Sequence, residues 1–206
     1  MEADLMLWIH GLSRPALDAV TRVSWALGVL RFCAPALLLV IGWHLARRER
    51  REALAWLVVG VGAAVLPELV KAAVARPRPT LWPWLIPTTG YSFPSGHATA
   101  GAALYPLLGW LALRSRGRGA MGLGLGIAIG VFVGVGRLYA GVHWPSDVLA
   151  GWALGMALSL GAVRWLSARG VPPLHVDRDR ADAPSTRGRS ISNASRPARA
   201  SASTRS

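Results

Sequence analysis

Long apolar runs alternating with short arginine-rich clusters constrain this chain more than any other feature. Residues 25–46, 53–70, 97–113, 120–139 and 147–166 are each long and apolar enough to cross a bilayer as a helix. About 18–20 residues at ~1.5 Å each cover the ~30 Å hydrocarbon core. The expected fold is all-α, a polytopic membrane helix bundle of five spans. Residues 5–24 precede them, apolar but broken by His10, Ser13, Arg14, Pro15, Asp18 and Arg22. That stretch reads as one or two short helices lying at the interface, and with the spans it completes a six-helix core. Pro35 is a possible kink in the first span, and Pro67 bends the second.

Alternation assigns the sides. The clusters Arg47-Arg48-Glu49-Arg50-Arg51-Glu52 and Arg114-Ser115-Arg116-Gly117-Arg118-Gly119 fall on one side, together with the C-terminal tail. The positive-inside rule makes that side cytoplasmic. The Pro- and Gly-rich stretch 72–96 and the short loop 140–146 then face outward together. Trp82, Trp84 and Trp144 are expected in an outer aromatic belt, and Trp43, Trp56, Trp110 and Trp165 in an inner one. Gly122, Gly126, Gly130 and Gly134 recur every fourth residue in the fourth span, a small-residue face for close helix packing.

Composition narrows the class further. With 206 residues, 52% hydrophobic and 16% charged, the chain fits one membrane domain, 1–169, and a tail. Residues 170–206 are rich in Ser, Arg, Ala and Pro and hold almost no bulky apolar side chain after Val176. They are expected to be a disordered basic tail, either touching anionic headgroups or simply solvated. The net charge of +13 sits in loops and tail and forms no folded basic face, which sets nucleic-acid binding aside. The lone cysteine, Cys33, lies in an apolar run and allows neither an internal disulfide nor a thiolate cluster. The start, Met1-Glu2-Ala3-Asp4, has no basic n-region, so no cleaved signal peptide is expected.

Three polar clusters interrupt the apolar background, all at the outer ends of spans. They are Lys71 with Arg76 and Arg78; Tyr91-Ser92-Phe93-Pro94-Ser95-Gly96-His97; and Arg137 through His143 to Asp147. Ionisable groups near membrane depth are expensive and mark function by default. Lys71, Arg78 and Arg137 make a site for a multiply charged anion, and phosphate fits. Ser95 and Gly96 precede a helix and add backbone donors and a favourable dipole. Asp147 follows His143 by four residues, so one helical turn can join them. A carboxylate on one ring nitrogen leaves the other as a nucleophile, while His97 can protonate a leaving oxygen. Glu68 is read as an ion-pair partner that orients Lys71. Arg76 is read as either a second phosphate contact or a headgroup anchor. His10 and His44 are read as interfacial polar residues.

The order Lys71-x6-Arg78-Pro79, Pro94-Ser95-Gly96-His97, then Arg137-x5-His143-x3-Asp147 resembles the type 2 phosphatidic acid phosphatase (PAP2) superfamily. The resemblance covers roughly residues 5–166. It implies a phosphatase that needs no metal or other cofactor. In it His143 carries a phosphohistidine oriented by Asp147, His97 is the general acid, and Lys71, Arg78, Ser95, Gly96 and Arg137 hold phosphate. Within that family the short chain and interfacial start look like bacterial undecaprenyl pyrophosphate phosphatases of the plasma (inner) membrane, acting on its outer face. Phosphatidylglycerophosphate, phosphatidic acid and lipid A phosphatases share the motifs and stay open as alternatives. The chain departs from the family at Gly136, where a serine usually precedes the arginine; losing that oxygen is expected to modulate activity. A metal hydrolase is disfavoured because three cations would repel the ion. A lipid-phosphate binding or transport protein is the non-enzyme alternative. The partners implied are membrane lipids and a lipid phosphate, with no protein partner.

Overall fold

The computed structural model describes residues 1–168, all of whose regular elements are helical. The expected disordered tail, 170–206, lies outside the described residues. The helices are α1 (Glu2–His10), α2 (Pro15–Gly28), α3 (Leu30–Ala46), α4 (Arg50–Val74), α5 (Gly96–Leu113), α6 (Gly119–Tyr139) and α7 (Pro145–Ser167). A 3₁₀ turn over Arg114–Arg116 joins α5 to α6.

Local chemistry accounts for the boundaries. Pro15 and Pro145 sit in the first turns of α2 and α7, where their missing N–H is harmless. Ser95 caps α5, its Oγ accepting from the Ala98 N–H at 3.4 Å. Helix α4 ends at Ala75 in a left-handed conformation (φ 48°), and Pro77 and Pro79 prevent its continuation. The stretch 5–24 falls in two helices, α1 and α2, as its interruptions suggested, but α2 runs on to Gly28 and belongs to a bent candidate span rather than to a separate interfacial segment. The first expected span starts elsewhere, however. The helix does not begin at residue 25 and run through; it breaks at Val29, and α2 and α3 form a pair bent by 44°. The break precedes Pro35. It exposes the Leu27 carbonyl, which accepts from Tyr105 Oη at 2.8 Å and from Cys33 Sγ at 3.3 Å. Neighbouring side chains thus satisfy the backbone that the break releases.

Helices α4, α6 and α7 are long and apolar enough to cross a membrane, and the bent α2–α3 pair makes a fourth candidate. Helix α5 matches an expected span in position but opens on the polar Gly96-His97-Ala98-Thr99. It is the central helix: Ala98 through Leu104 are buried in succession. The core gathers Ala55, Trp56, Val59 and Ala63 of α4, Ala103, Leu104 and Leu107 of α5, and Leu166 of α7. Trp56 is therefore a core residue and not part of an inner belt. His44 is likewise buried, bonded to Glu49 Oε2 at 2.7 Å. Outward faces carry exposed Leu38, Leu39, Leu57, Val58, Leu125 and Leu149, the apolar surface that lipid chains suit.

The two arginine clusters meet at one end of the bundle. Arg114 Nη2 donates to Glu52 Oε1 at 2.6 Å, and Arg51 Nη2 to the Trp165 carbonyl at 3.1 Å. Arg47, Arg51 and Arg114 lie over the rings of Trp43, Trp165 and Trp110. All three chemical clusters lie at the other end.

The glycine face of α6 does what its spacing suggested. Gly122 lies against the backbone of Gly109, Gly126 against Tyr105 and Pro106, and Gly130 against Gly101 and Ala102. Gly134 faces the Trp152 indole of α7. Gly151 and Gly155 of α7 meet the Ser95 and Thr99 carbonyls of α5 in the same way. Gly126→Leu would drive a side chain into the α5 backbone, whereas Gly124 faces open space. The first substitution is expected to lower the melting temperature in detergent by roughly 5 °C or more. Gly124→Leu should leave it within about 2 °C, given the usual size of surface effects.

Candidate active site

A cavity of about 330 Å³ opens at the end opposite the arginine clusters. Lys71, Arg78, Gly96, His97, Arg137 and His143 all line it, with Glu68 beside Lys71. Its remaining wall combines small apolar residues, including Val29, Ala63, Ala64 and Pro67, with Thr88 and Thr89. Six of the eight residues expected from sequence therefore converge on one space. Asp147 and Ser95 stand behind that wall. Ser95 is fully buried and spends its Oγ on capping α5, while its N–H donates to the Asp147 carbonyl at 2.9 Å.

His143 has a defined tautomer. Its Nδ1 lies 2.9 Å from the Ser92 carbonyl, which only accepts, so Nδ1 carries the proton. Asp147 Oδ2 is 3.5 Å from the same nitrogen. The Nε2 lone pair is thereby presented to Arg78 Nη1 at 3.1 Å, on the cavity side. Burial drives the His143 pKa down to about 4 against the opposing pull of Asp147. The imidazole is neutral at pH 7, as a nucleophile requires.

Arg78 is anchored on backbone oxygens. Its Nε donates to Gly90 O at 3.0 Å, Nη2 to Thr89 O at 2.9 Å and Nη1 to Val142 O at 2.8 Å. The guanidinium plane is thus set by the 75–95 loop and does not depend on a ligand. Lys71 Nζ pairs with Glu68 Oε1 at 2.6 Å, the orienting partnership expected from their spacing. Arg137 differs. It is only 2% exposed, and its Nε and Nη2 find no hydrogen-bond partner among the described residues; neither does Nε2 of His97. A buried guanidinium with two uncompensated nitrogens is costly. An oxyanion in the cavity would satisfy both, and a leaving oxygen would suit the His97 nitrogen.

Several contributors were not found by sequence reasoning. The end of α2 reaches the site: a Cβ on Gly28 would stand 2.8 Å from the His97 ring, so only glycine lets α2 lie there. Fully buried Ser24 fills the space beside Gly136, where a larger residue would collide with its Oγ. A hydroxyl therefore stands next to Gly136 after all, supplied by α2 and bonded to the Thr21 carbonyl at 2.8 Å. Arg76 points away from the cavity, to Asp147 Oδ1 at 2.8 Å, so neither expected role describes its contacts. Glu2 holds Arg76 Nη2 at 2.7 Å. Gly28, Ser24 and Glu2 carried no spacing signal, because their partners are more than 60 residues away. Among the described residues no group of three His, Cys, Asp or Glu is arranged to hold a metal ion.

The arrangement predicts anion binding before any chemistry. Millimolar phosphate should raise the melting temperature of the detergent-solubilised protein relative to chloride at equal ionic strength. Saturation at 100 times Kd corresponds to about 2.7 kcal/mol. The increment should vanish in Arg137→Gln.

The PAP2 superfamily matches over residues 52–170, and the chain belongs to it. Phosphatidylglycerophosphatase B of Bacillus subtilis is 30% identical over 151 residues, covering 71% of this chain and 74% of that protein. An undecaprenyl-diphosphatase of Sulfolobus acidocaldarius is 36% identical over 130 residues, a stretch covering 57% of each chain. Among solved structures, a transmembrane PAP2 type phosphatidylglycerolphosphate phosphatase from Bacillus subtilis superposes with a TM-score of 0.74 at 26% identity. That likeness covers 82% of this chain and 86% of the other.

Proposed function

We propose that this member of the PAP2 superfamily is a membrane lipid phosphatase that works through a phosphohistidine on His143, with undecaprenyl pyrophosphate as its substrate. The observation that carries the reading is the His143 ring: Nδ1 is committed to Ser92 O, and Nε2 faces a cavity ringed by Lys71, Arg78 and Arg137. In this mechanism Nε2 attacks phosphorus, and the bond to the leaving oxygen breaks as His97, which takes up a proton once the bound anion offsets Arg137, Lys71 and Arg78, donates that proton to it. Asp147 stabilises the ring as positive charge develops. Arg78 and Arg137, with Lys71, take up charge on the phosphoryl oxygens. Water then attacks the phosphohistidine, with His97 accepting its proton, and phosphate leaves. Gly96 and the first turn of α5 add backbone donors, and Ser95 contributes by capping that helix.

Three cations against one cavity carboxylate, Glu68, suit a multiply charged phosphate group. The undecaprenyl-diphosphatase relative supports the choice of undecaprenyl pyrophosphate. Phosphatidylglycerophosphate is the second reading, favoured by the longer match to phosphatidylglycerophosphatase B. Phosphatidic acid and lipid A are further alternatives. In the membrane, the bent α2–α3 pair with α4, α5, α6 and α7 supplies five crossings. The arginine end and tail face the cytoplasm by the positive-inside rule, and the cavity opens on the outer face.

The test is phosphate release in detergent from undecaprenyl pyrophosphate, phosphatidylglycerophosphate, phosphatidic acid and lipid A, with EDTA present. Release is expected to be EDTA-resistant and fastest with the pyrophosphate. His143→Ala should lose roughly 10⁴-fold or more in kcat, the scale at which losing a nucleophile acts. A His143→Ala protein as fast as the parent, or no hydrolysis of any lipid, would leave a binding or transport role.

The pH dependence follows from the depressed His143 pKa. Protonation removes the Nε2 lone pair, so kcat/KM should fall as pH drops through about 4. No acidic limb should appear near 6.5, where an ordinary histidine would already have titrated. An acidic limb centred near 6.5 would show that His143 is not the group being read.

A further inference from the structure

The Asp147 carboxylate has no exposed surface, and the imidazole 3.5 Å away is neutral at pH 7. Its charge is compensated from behind. Arg76 Nη1 donates to Oδ1 at 2.8 Å, and the Trp144 N–H donates to Oδ2 at 2.8 Å. Arg76 is itself held on three sides. Its Nη1 also donates to Ser146 Oγ at 2.6 Å, its Nη2 to Glu2 Oε2 at 2.7 Å, and its guanidinium lies 5.4 Å from the Trp144 ring centroid. The other Glu2 oxygen accepts the Ser146 N–H at 2.9 Å. One carboxylate on α1 thus grips both Arg76 and the first turn of α7.

Two arginines only two residues apart serve opposite sides of the same pair. Arg78 meets His143 Nε2 from the cavity, while Arg76 meets Asp147 from the rear. The left-handed turn at Ala75 and the prolines at 77 and 79 separate their directions. The titratable groups facing Asp147 are Arg76 from the 75–95 loop and the neutral His143 from the 140–144 loop, with Glu2 of α1 one contact beyond and Arg78 across the imidazole.

We propose that Arg76 is a positioning residue for the His143–Asp147 pair, and that Glu2 fixes Arg76, so that docking of the N-terminal helix sets the rate of the chemical step. This rests on His143 being the nucleophile. Without Arg76 the carboxylate loses its charged partner and the orientation that points Oδ2 at Nδ1. Without Glu2 the guanidinium keeps Asp147 but gains freedom to swing, and α1 loses its hold on α7. Neither residue lines the cavity, so substrate affinity is left alone.

The experiment measures kcat and KM of full-length Glu2→Gln, Arg76→Gln, Arg76→Lys and the Glu2→Gln/Arg76→Gln double variant in detergent. The probe is whichever lipid phosphate the parent hydrolyses fastest, and rates are normalised to folded protein by gel filtration. Asp4→Asn, an exposed carboxylate on the same helix, is the control, and His143→Ala runs alongside. Arg76→Gln should lose roughly 100-fold in kcat with KM within about twofold, the scale of a misplaced catalytic group. Arg76→Lys should recover about tenfold of that, because an ammonium keeps the charge but cannot span Asp147 and Glu2 together. Glu2→Gln should lose about threefold to tenfold in kcat and have no further effect in the Arg76→Gln background. If Arg76→Gln misfolds, Glu2→Gln and Arg76→Lys carry the test. Parental kcat in both, or losses confined to KM, would overturn the proposal. A dead His143→Ala beside them would leave the active-site reading standing; a His143→Ala as active as the parent would remove both.

Discussion

A single buried carboxylate ties the cavity end of this molecule together. Asp147 lies at the start of α7, fully enclosed, and a charge in that position survives only with partners on every lone pair. Its side chain draws in Arg76 from the 75–95 loop and the Trp144 N–H from the loop before α7, and approaches His143. Its backbone carbonyl accepts the Ser95 N–H at the start of α5. Through Arg76 it also reaches Glu2 on α1. Removing one partner from such a group typically costs about 3–5 kcal/mol. The same bonds that make the charge tolerable therefore place His143, the 75–95 and 140–144 loops and two helix starts relative to one another.

That convergence requires helices close enough for short loops to reach. Glycine provides the closeness. Along α6 and α7, glycines lie against the α5 backbone, and a Cβ at Gly126 or Gly155 would collide with a main-chain atom. In lipid, where apolar surface alone does not drive helices together, backbone approach of this kind supplies the packing energy. It also sets the width of the cavity, because His97 rides on α5, Arg137 on α6 and Lys71 on α4. The Gly28 end of α2 closes the remaining side against the His97 ring.

Much of this was legible in the residues. Hydrophobic run lengths located α3 through α7 to within a few positions, since crossing a membrane imposes a length that periodicity alone does not. The four-residue glycine repeat announced the face α6 turns to α5. The cations and histidines were recognisable because ionisable groups at membrane depth have no bland reason to be there. The failures share a cause. The break at Val29 follows Gly28 directly, but a lone glycine in an apolar run does not announce a break, and the bend depends on Tyr105 satisfying the freed carbonyl. Trp56 and His44 looked interfacial by position, yet the core and Glu49 took them in. Arg76 was read beside Arg78 as a substrate or lipid contact, when a left-handed residue before it sends it to the rear.

The sequence by itself determined the solvent this protein is built for, the helical class, and the three polar clusters that supply the lining of one cavity. These follow from composition and spacing along the chain, where transfer energies and helix geometry act locally. Only the tertiary structure decided how the site is armed. The proton on His143 Nδ1 is set by a carbonyl 51 residues away, at Ser92. The unpaired nitrogens of Arg137, the hydroxyl of Ser24 beside Gly136 and the Glu2–Arg76–Asp147 chain exist because distant segments meet. Hydrogen bonds and ion pairs act over about 3 Å in space, and no rule of spacing along the chain encodes which remote residue will fill that distance.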